Sequence, residues 1–325
     1  MDKTGAEERT MVLQAGDGQA SGLRVAVTGA NGFIGRAVVE RIERGVLGAI
    51  AELRLNDVRA FAHPGAVVVE GSYADAGIRE RLVGDGVDIL FHLASLPGGA
   101  SERDPPLGRS VNLDGSIALL DAVAGTPPPV VVYASSIAAL GRIDQPVTDA
   151  TALRPTGSYG THKAMLEIYL ADLTRRGLID GRAVRPAGIV ARPTGAYAGF
   201  VTAWMSDLFH AAIERRAIAI PARADTHIWL QSVDAVADNI LHAARMPAAG
   251  LPPHRAWTLP ATVVRLDTLV ESLSRRTGNA LQVDYGAGQH DQPPLDASAA
   301  LAVGFVSDGD TDALVEAVLS RIAGR

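Results

Sequence analysis

The fold of this chain is decided by one stretch near its start, Leu23-Arg24-Val25-Ala26-Val27-Thr28-Gly29-Ala30-Asn31-Gly32-Phe33-Ile34-Gly35. Its first six residues are mostly apolar and include two valines, which predicts a buried β-strand. Beyond the glycine-rich turn, Ile34, Val38 and Ile42 are spaced four residues apart and share one face of a predicted helix. A strand, a tight turn and a helix in this order begin a βαβ unit.

The three glycines of the turn each have a physical reason to lack a side chain. Gly29 permits the tight turn, Gly32 allows the backbone to approach a pyrophosphate, and Gly35 allows the helix to pack closely on the sheet. The free N–H groups at the start of the helix would then bind the phosphates. Because the pattern lies between a predicted strand and a predicted helix, it predicts a dinucleotide-binding site.

An acidic residue farther along the chain indicates which dinucleotide is bound. Asp57 lies 22 residues after Gly35, at the end of the second predicted strand. A carboxylate at this place accepts hydrogen bonds from the adenosine ribose hydroxyls and repels a 2′-phosphate, so NAD is favoured over NADP. Two alternatives remain open: a solvated aspartate at a strand end, and NADP binding assisted by Arg59.

Short apolar runs alternate with helical patterns along the chain. They predict further strands at 53–56, 66–69, 87–91, 130–134 and 181–184, and helices at 111–124 and 159–176. This alternation predicts an α/β fold, a Rossmann-like doubly wound parallel sheet buried on both faces. We expect a disordered N-terminal extension over residues 1–22 and an NAD-binding Rossmann domain over 23–191. Glycine and proline interrupt the pattern beyond about residue 192, so 192–325 is expected to be mostly a smaller, irregular substrate-binding lobe, with some segments returning to the main domain.

The composition argues against several functions. The chain has 325 residues, a net charge of −6 and no cysteine. The acidic balance without a basic run argues against nucleic-acid binding, and no apolar stretch is long enough for a membrane span. The lack of cysteine excludes disulfides and thiolate zinc sites, and no other metal site is predicted. The N-terminus lacks the apolar segment of a signal peptide, so we expect a cytoplasmic protein with a small-molecule substrate.

Three residues suited to proton transfer lie near the ends of predicted elements. Tyr159 and Lys163 are four residues apart on a predicted helix, so they share a face, and Ser136 ends the fifth strand. Tyr159 would act as general base, Lys163 would lower its pKa from roughly 10, and Ser136 would hydrogen-bond the reacting oxygen. Beside a dinucleotide, these three residues predict catalysis of hydride transfer. The alternative is a tyrosine and a lysine at chance helical spacing.

These motifs, in this order, resemble those of the extended short-chain dehydrogenase/reductases, the NAD-dependent epimerase/dehydratase family. His92-Leu93-Ala94-Ser95 is similar to the family's fourth-strand segment, Asn112 to its helix asparagine, and Gly71-Ser72-Tyr73-Ala74-Asp75 to its adenine-contact segment, with Ser72 where Asp is usual. The resemblance implies a homodimer formed through the helix that carries Tyr159. It also implies NAD contacts at Gly29, Asn31, Gly32, Phe33, Ile34, Gly35, Asp57, Ser72, Tyr73, Leu93, Ala94, Ser95, Asn112, Tyr159, Lys163, Ala187 and Ile189.

Several stretches look like those of D-erythronate dehydrogenases, which oxidise a four-carbon sugar acid with NAD. They are residues 111–115, 135–138, 158–163, 225–229, 295–297 and 301–305. The resemblance implies oxidation of a secondary alcohol of a small sugar acid or polyol. The basic residues expected near His227 and before Asp296 are replaced by His227 itself and by Pro294-Leu295. Arg142, Arg192 and His227 remain as candidates for binding a carboxylate, and for each a structural role is the alternative.

Two other functions compete with this interpretation. A nucleotide-sugar epimerase or dehydratase would use tightly bound NAD without net turnover. Epimerases of the family commonly carry an asparagine after the sixth strand, where this chain has Gly188. A non-catalytic dinucleotide sensor would not need Ser136, Tyr159 and Lys163 together. His92 is predicted to be a packed strand residue.

Overall fold

A computed structural model describes residues 22–142, 145–193, 202–288 and 291–324. The predicted N-terminal extension therefore lies, apart from Gly22, outside the described residues. The described residues form the strands β1 (Leu23–Thr28), β2 (Ile50–Asp57), β3 (Val67–Glu70), β4 (Ile89–His92), β5 (Val130–Ala134), β6 (Asp180–Arg185), β7 (Gly188–Val190), β8 (Ile218–Ile220), β9 (His227–Ser232), β10 (Ala256–Thr258), β11 (Thr262–Arg265) and β12 (Val283–Tyr285).

The helices lie between these strands. They are α1 (Phe33–Glu43), α2 (Ala76–Val83), α3 (Gly98–Arg103), α4 (Pro105–Arg109), α5 (Ser116–Val123), α6 (Ser158–Arg175), α7 (Ala203–Glu214), α8 (Val233–Arg245), α9 (Leu266–Thr277), α10 (Ser298–Ala302) and α11 (Thr311–Ile322). None of the helices in the described ranges has the length and apolar character needed to cross a bilayer.

Seven of the strands form one parallel sheet in the order β3-β2-β1-β4-β5-β6-β10. After β3 the chain returns to the other side of β1, so the direction of winding reverses between β1 and β4. In sheets of this kind, ligands bind in the crevice at that switch point, outside the carboxyl ends of the strands. The predicted Rossmann-like, doubly wound α/β fold is confirmed.

Helices cover both faces of the central sheet, and alternate residues of each strand point to opposite faces. In β1, Val25 and Val27 join the apolar layer that contains α1 and α8, whereas Ala26 joins the layer that contains α2, α5 and α6. All three side chains are fully buried. The burial of each large apolar side chain in these layers contributes about 1.5–3 kcal/mol. This packing fixes the carboxyl ends of the strands at one edge.

A smaller lobe is built from later segments. It contains the three-stranded sheet β11-β9-β7 and the pair β12-β8. Its core packs α7, α9 and α11 around side chains such as Phe209, Ile228 and Leu269. Two segments beyond residue 192 belong to the main domain instead. Helix α8 packs against α1, and β10 forms the edge of the central sheet next to β6.

The elements predicted from the sequence agree closely with the structure in the central sheet and less closely beyond residue 192. The second strand begins at Ile50 and the fourth ends at His92, a few residues from the predicted bounds. The predicted helix at 111–124 is a π-helical segment, Ser110–Gly115, followed by α5. The expectation of an irregular chain beyond residue 192 was wrong, because α7, α8, α9 and α11 are regular helices joined by Gly- and Pro-containing turns. The boundary at residues 191 and 192 stays a prediction.

Candidate active site

A deep cleft opens at the switch point of the sheet. Its volume is about 1240 Å³, and residues of both the main sheet and the smaller lobe line it. A pocket for one small ligand usually measures about 300–1000 Å³, so this cleft has room for a dinucleotide together with a small substrate. Its floor is formed by the turn after β1 and by the residues that follow β4 and β5.

The turn after β1 has space for backbone and none for side chains. A Cβ on Gly29, whose φ is +70°, would lie 2.9 Å from the backbone of Ala94. A Cβ on Gly35 would lie 2.1 Å from the carbonyl oxygen of Gly29. Helix α1 begins at Phe33, and its N-cap residue Gly32 offers no side-chain acceptor to the first N–H groups. These features fit the phosphates of a dinucleotide at the start of α1.

Asp57 lies beside this turn at the carboxyl end of β2. It is buried, and its carboxylate accepts hydrogen bonds from the backbone N–H groups of Asn31, at 3.1 Å, and Arg59, at 3.0 Å. The Arg59 guanidinium is mostly exposed and lies 3.8 Å from the same carboxylate. The backbone therefore fixes the acidic group at the edge of the cleft. This arrangement fits the ribose hydroxyls of NAD.

Two predicted NAD contacts have other roles for their side chains. The side-chain oxygen of Asn31 accepts hydrogen bonds from Arg36, the shorter at 2.6 Å. The side chain of Asn112 binds both the N–H of Leu96, at 2.6 Å, and its carbonyl, at 2.9 Å. Neither asparagine is among the described residues that line the cleft. Asn112 instead fixes the loop that leads from β4 to α3.

His92 is a packed strand residue, as predicted. It is buried, and its ring nitrogens pair with the hydroxyls of Thr28, at 2.8 Å, and Ser116, at 2.9 Å. Burial lowers the pKa of His92 to about 3, and the charge of Lys163 contributes to the shift. The imidazole therefore stays neutral at physiological pH and joins β1, β4 and the start of α5. The neighbouring Tyr73 is also buried, and its hydroxyl donates to the carbonyl of Val111 at 2.9 Å.

The structure brings Ser136, Tyr159 and Lys163 together in the cleft. Ser136 follows β5, Tyr159 lies in the first turn of α6, and Lys163 lies one turn later. The side chains of Ser95 and Ser136 lie close enough to the Tyr159 hydroxyl to act on its pKa. The Lys163 amino group donates to the carbonyl of Ala134 at 2.6 Å and lies 5.4 Å from the centre of the Tyr159 ring.

Burial opposes charge on both the tyrosine and the lysine. It raises the pKa of Tyr159, while the hydrogen bond from Ser95, the charge of Arg192 and the hydrogen bond from Ser136 act in the opposite direction. Burial lowers the pKa of Lys163 to about 7, against the opposing effect of the Glu167 carboxylate. Arg192, a candidate from the sequence for binding a carboxylate or for a structural role, thus contributes a positive charge near Tyr159. The effect of Lys163 on the pKa of Tyr159 stays a prediction.

A buried ion pair supports the floor beneath Lys163. The guanidinium of Arg185 lies 2.7 Å from the carboxylate of Glu167, and both side chains are almost fully buried. The hydroxyl of Ser135 donates to the same carboxylate. Glu167 lies one helical turn after Lys163, so this network links α6 to β5 and β6 directly beneath the lysine. Arg185 thus has a structural role.

The lobe closes the cleft with residues that the sequence analysis missed as site residues. Trp229 and Gln292 line the cleft, and the backbone N–H of Trp229 donates to the side-chain oxygen of Gln292 at 2.6 Å. His227 was one of three candidates for binding a carboxylate, with a structural role as the alternative. The imidazole is about half-exposed, lies 3.2 Å from the Asp291 carboxylate, and is not among the described residues that line the cleft. Trp229, a large apolar residue two positions later in β9, lines the cleft instead.

Comparisons with known proteins agree with this geometry. Residues 25–257 match the family described as the NAD dependent epimerase/dehydratase family. The chain belongs to this family. It is 31% identical to D-erythronate dehydrogenase from Cupriavidus necator over 91% of this chain and 98% of that protein, and 27% identical to D-erythronate dehydrogenase from Haemophilus influenzae over 90% and 98%. A crystal structure of a nucleoside-diphosphate-sugar epimerase from Agrobacterium tumefaciens is 25% identical, covers 95% of this chain and 98% of its own, and superposes with a TM-score of 0.84.

Membership of the NAD-dependent epimerase/dehydratase family confirms that NAD is the cofactor and that the chain is an NAD-dependent oxidoreductase. The residues present fit NAD, since the turn after β1 leaves space only for backbone beside the start of α1 and Asp57 ends β2. Within the part of the chain that the structure describes, no group of His, Asp and Glu side chains has the arrangement of a metal site.

The position of Asp57 predicts the cofactor preference. NAD should exceed NADP by at least about tenfold in kcat/KM, because the carboxylate repels a 2′-phosphate. Asp57→Ala should narrow this ratio, whereas Asp85→Ala, at an exposed aspartate far from the turn, should leave it unchanged. Initial rates with each dinucleotide provide the measurement. Equal use of both cofactors by the unmodified protein would contradict the assignment.

The burial of Lys163 predicts a pH-dependent stability effect. Its folded-state pKa of about 7 lies below the ordinary value of 10.5, so the unfolded chain binds more protons between these values and stability rises with pH across this window. Lys163→Met should therefore raise the unfolding temperature, by a few degrees at pH 7 or below and by less at pH 9.5. Lys163→Arg, which keeps the charge, is the control and should give no gain. A destabilised Met variant at pH 6.5 would show that burial of the ammonium is not costly here.

Proposed function

We propose that this enzyme oxidises a secondary alcohol of a small sugar acid, similar to D-erythronate, by hydride transfer to NAD, with Tyr159 as the general base. The observation that carries the proposal is the convergence of Ser136, Tyr159 and Lys163 at the inner end of a cleft that fits NAD. The two D-erythronate dehydrogenases named above support it, because this chain matches them over 98% of their length. The carboxyl ends of the parallel strands supply the fixed framework.

The three residues would divide the work of removing a proton from the alcohol. Ser136 holds the alcohol oxygen, and Tyr159 as phenolate accepts its proton as the C–O bond becomes a carbonyl. Lys163, as an ammonium one turn away, stabilises the phenolate and can hold the ribose of the cofactor. NAD supplies the acceptor for the hydride that leaves the same carbon. Ser95 and Ser136 line the same cleft as Tyr159, and both act to lower its pKa, which supports this role.

We propose that the cofactor lies along the floor of the cleft, from the turn after β1 to α6. The N–H groups at the start of α1 would hold the phosphates and Asp57 the adenosine ribose. Other predicted contacts that line the cleft are Phe33, Ile34, Ser72, Tyr73, Leu93, Ala94, Ser95, Ala187 and Ile189. The segments after residue 192 that face this floor would form the substrate-binding lobe.

The alternative, a nucleotide-sugar epimerase, is disfavoured by the packing at Gly188. A Cβ at this position would lie 2.9 Å from the carbonyl oxygen of Trp229 and 3.0 Å from a methyl carbon of Leu230. The asparagine that the family's epimerases commonly carry here would need β9 to move. The site therefore lacks room for that side chain, which favours a dehydrogenase with a small substrate.

A screen that follows NADH absorbance tests the proposed reaction. The purified enzyme with NAD should form many equivalents of NADH per active site from D-erythronate or a related four- to six-carbon sugar acid. A dehydrogenase must release its reduced cofactor to achieve this, whereas an epimerase need not. Conversion of a nucleotide sugar without net NADH would overturn the proposal in favour of the epimerase.

The same assay tests the base. Tyr159→Phe should lower turnover by at least about 10²-fold, because the phenylalanine cannot accept the proton. The affinity for NAD should change little, since Lys163 and the turn after β1 remain. Turnover within a few-fold of the unmodified enzyme would rule out Tyr159 as the base.

We also propose that two copies of the chain pair through α6. Met165 and Ile168 lie three residues apart on this helix, with 46% and 66% of their surface exposed. Two exposed apolar side chains on one helical face favour contact with a second copy. Ile168→Glu should shift the protein from dimer to monomer in size-exclusion chromatography with light scattering, whereas Val306→Glu, at an exposed valine elsewhere, should not. A monomeric unmodified protein would contradict the proposal.

A further inference from the structure

We propose that Arg192 binds the carboxylate of the substrate and thereby makes the enzyme selective for sugar acids over neutral polyols. This inference rests on the proposed oxidation of a small hydroxylated substrate. Arg192 lies two residues after the end of β7. The structure separates Arg192 from the other two cationic candidates by position.

Only one of the three candidates lies deep in the cleft. His227 lies outside it, beside Asp291. Arg142 lines the cleft but is exposed to solvent. Arg192 lines the cleft, is half-buried, and is close enough to Tyr159 for each group to shift the pKa of the other. A carboxylate bound at Arg192 and an alcohol held at Tyr159 would therefore lie in the same cleft and can belong to one molecule.

Arg192 is held in place by its backbone and by an aromatic ring. Its N–H donates to the Ser206 hydroxyl at 3.1 Å, and its carbonyl pairs with His210 at 2.7 Å, so α7 fixes the main chain on both sides. The guanidinium carbon lies 5.5 Å from the centre of the Phe33 ring, within the range of a cation–π contact. Arg192 thus extends from the lobe across to the residue that begins α1.

Two cationic side chains line the inner cleft and can attract an anionic ligand. Lys163 and Arg192 both lie near Tyr159, and burial lowers the pKa of each. The Glu167 carboxylate near Lys163 is paired with Arg185. A substrate carboxylate can accept two parallel hydrogen bonds from a guanidinium. Because arginine stays charged, affinity for the acid should not depend on a histidine titration.

The contact with Phe33 raises a competing possibility. Phe33 lies in the turn expected to hold the phosphates of NAD, so Arg192 could bind the pyrophosphate instead. The two roles make different predictions. A carboxylate ligand affects only acidic substrates, whereas a pyrophosphate ligand affects NAD with every substrate.

Kinetics on a matched pair of substrates test the proposal. D-Erythronate and erythritol differ at the carboxylate, and NADH formation reports on both. Arg192→Gln should raise the KM for D-erythronate at least about 30-fold, change erythritol oxidation less than threefold, and leave the KM for NAD within threefold. Arg192→Lys should give a KM for D-erythronate between those of the unmodified enzyme and of Arg192→Gln, because a point charge replaces the bidentate guanidinium. Arg223→Gln, at an exposed arginine paired with Asp225 at 2.9 Å, is the matched control.

Direct binding separates this inference from the proposed reaction. Titration calorimetry of D-erythronate into enzyme saturated with NADH should show binding that Arg192→Gln abolishes and Arg223→Gln retains. If the unmodified enzyme binds the acid through Arg192 but forms no NADH, the reaction is wrong and the carboxylate site stands. The inference is overturned if the unmodified enzyme does not bind the acid, if Arg142→Gln and not Arg192→Gln carries the loss, or if Arg192→Gln weakens NAD and both substrates equally. Unfolding temperatures of all variants exclude a loss of fold.

Discussion

The approach of Gly35 to the carbonyl of Gly29 is the contact on which the site depends. A Cβ at Gly35 would lie 2.1 Å from that oxygen, so α1 can begin this close to the end of β1 only because no side chain intervenes. The start of α1 is thereby placed over the switch point of the sheet, where its N–H groups face the cleft. Asp57 is fixed by the same turn through the N–H of Asn31. Cofactor binding is thus a consequence of backbone packing more than of side-chain chemistry.

Sequence reasoning predicted the parts of the site that follow from local patterns. The turn after β1, Asp57 and the Tyr159–Lys163 spacing each depend on a strand end or a helical turn, and these features can be recognised within a short window. The substrate side could not be predicted in this way. Trp229 and Gln292 meet only because β9 and the segment after β12 are adjacent in space. His227 was considered because it is polar and lies in the segment expected to face the substrate. It lies at the start of β9 beside Asp291 and is not among the described residues that line the cleft.

Lysine appears at only two positions in this chain, Lys3 and Lys163, among 30 positively charged Lys and Arg residues. Arginine is used for the buried ion pair with Glu167 and for the contact with Phe33. The difference has a physical basis, because arginine keeps its charge when buried whereas the pKa of lysine falls readily. A group with a pKa of about 7 can gain or lose a proton during a reaction at neutral pH. At the position proposed for catalysis, the chain thus has a lysine, whose charge can respond to its surroundings.

The inner cleft consequently combines two different cations around one buried phenol. Burial raises the pKa of Tyr159, so an unassisted phenolate there is costly, and positive charge must be supplied from more than one direction. Lys163 approaches from α6, the helix that also carries the tyrosine, and its place is fixed by the central fold. Arg192 approaches from the lobe, whose elements come from distant parts of the chain. Through Arg192, a change in the lobe can therefore alter both which substrate is held and the basicity of Tyr159, and it can also act on Phe33 at the start of α1.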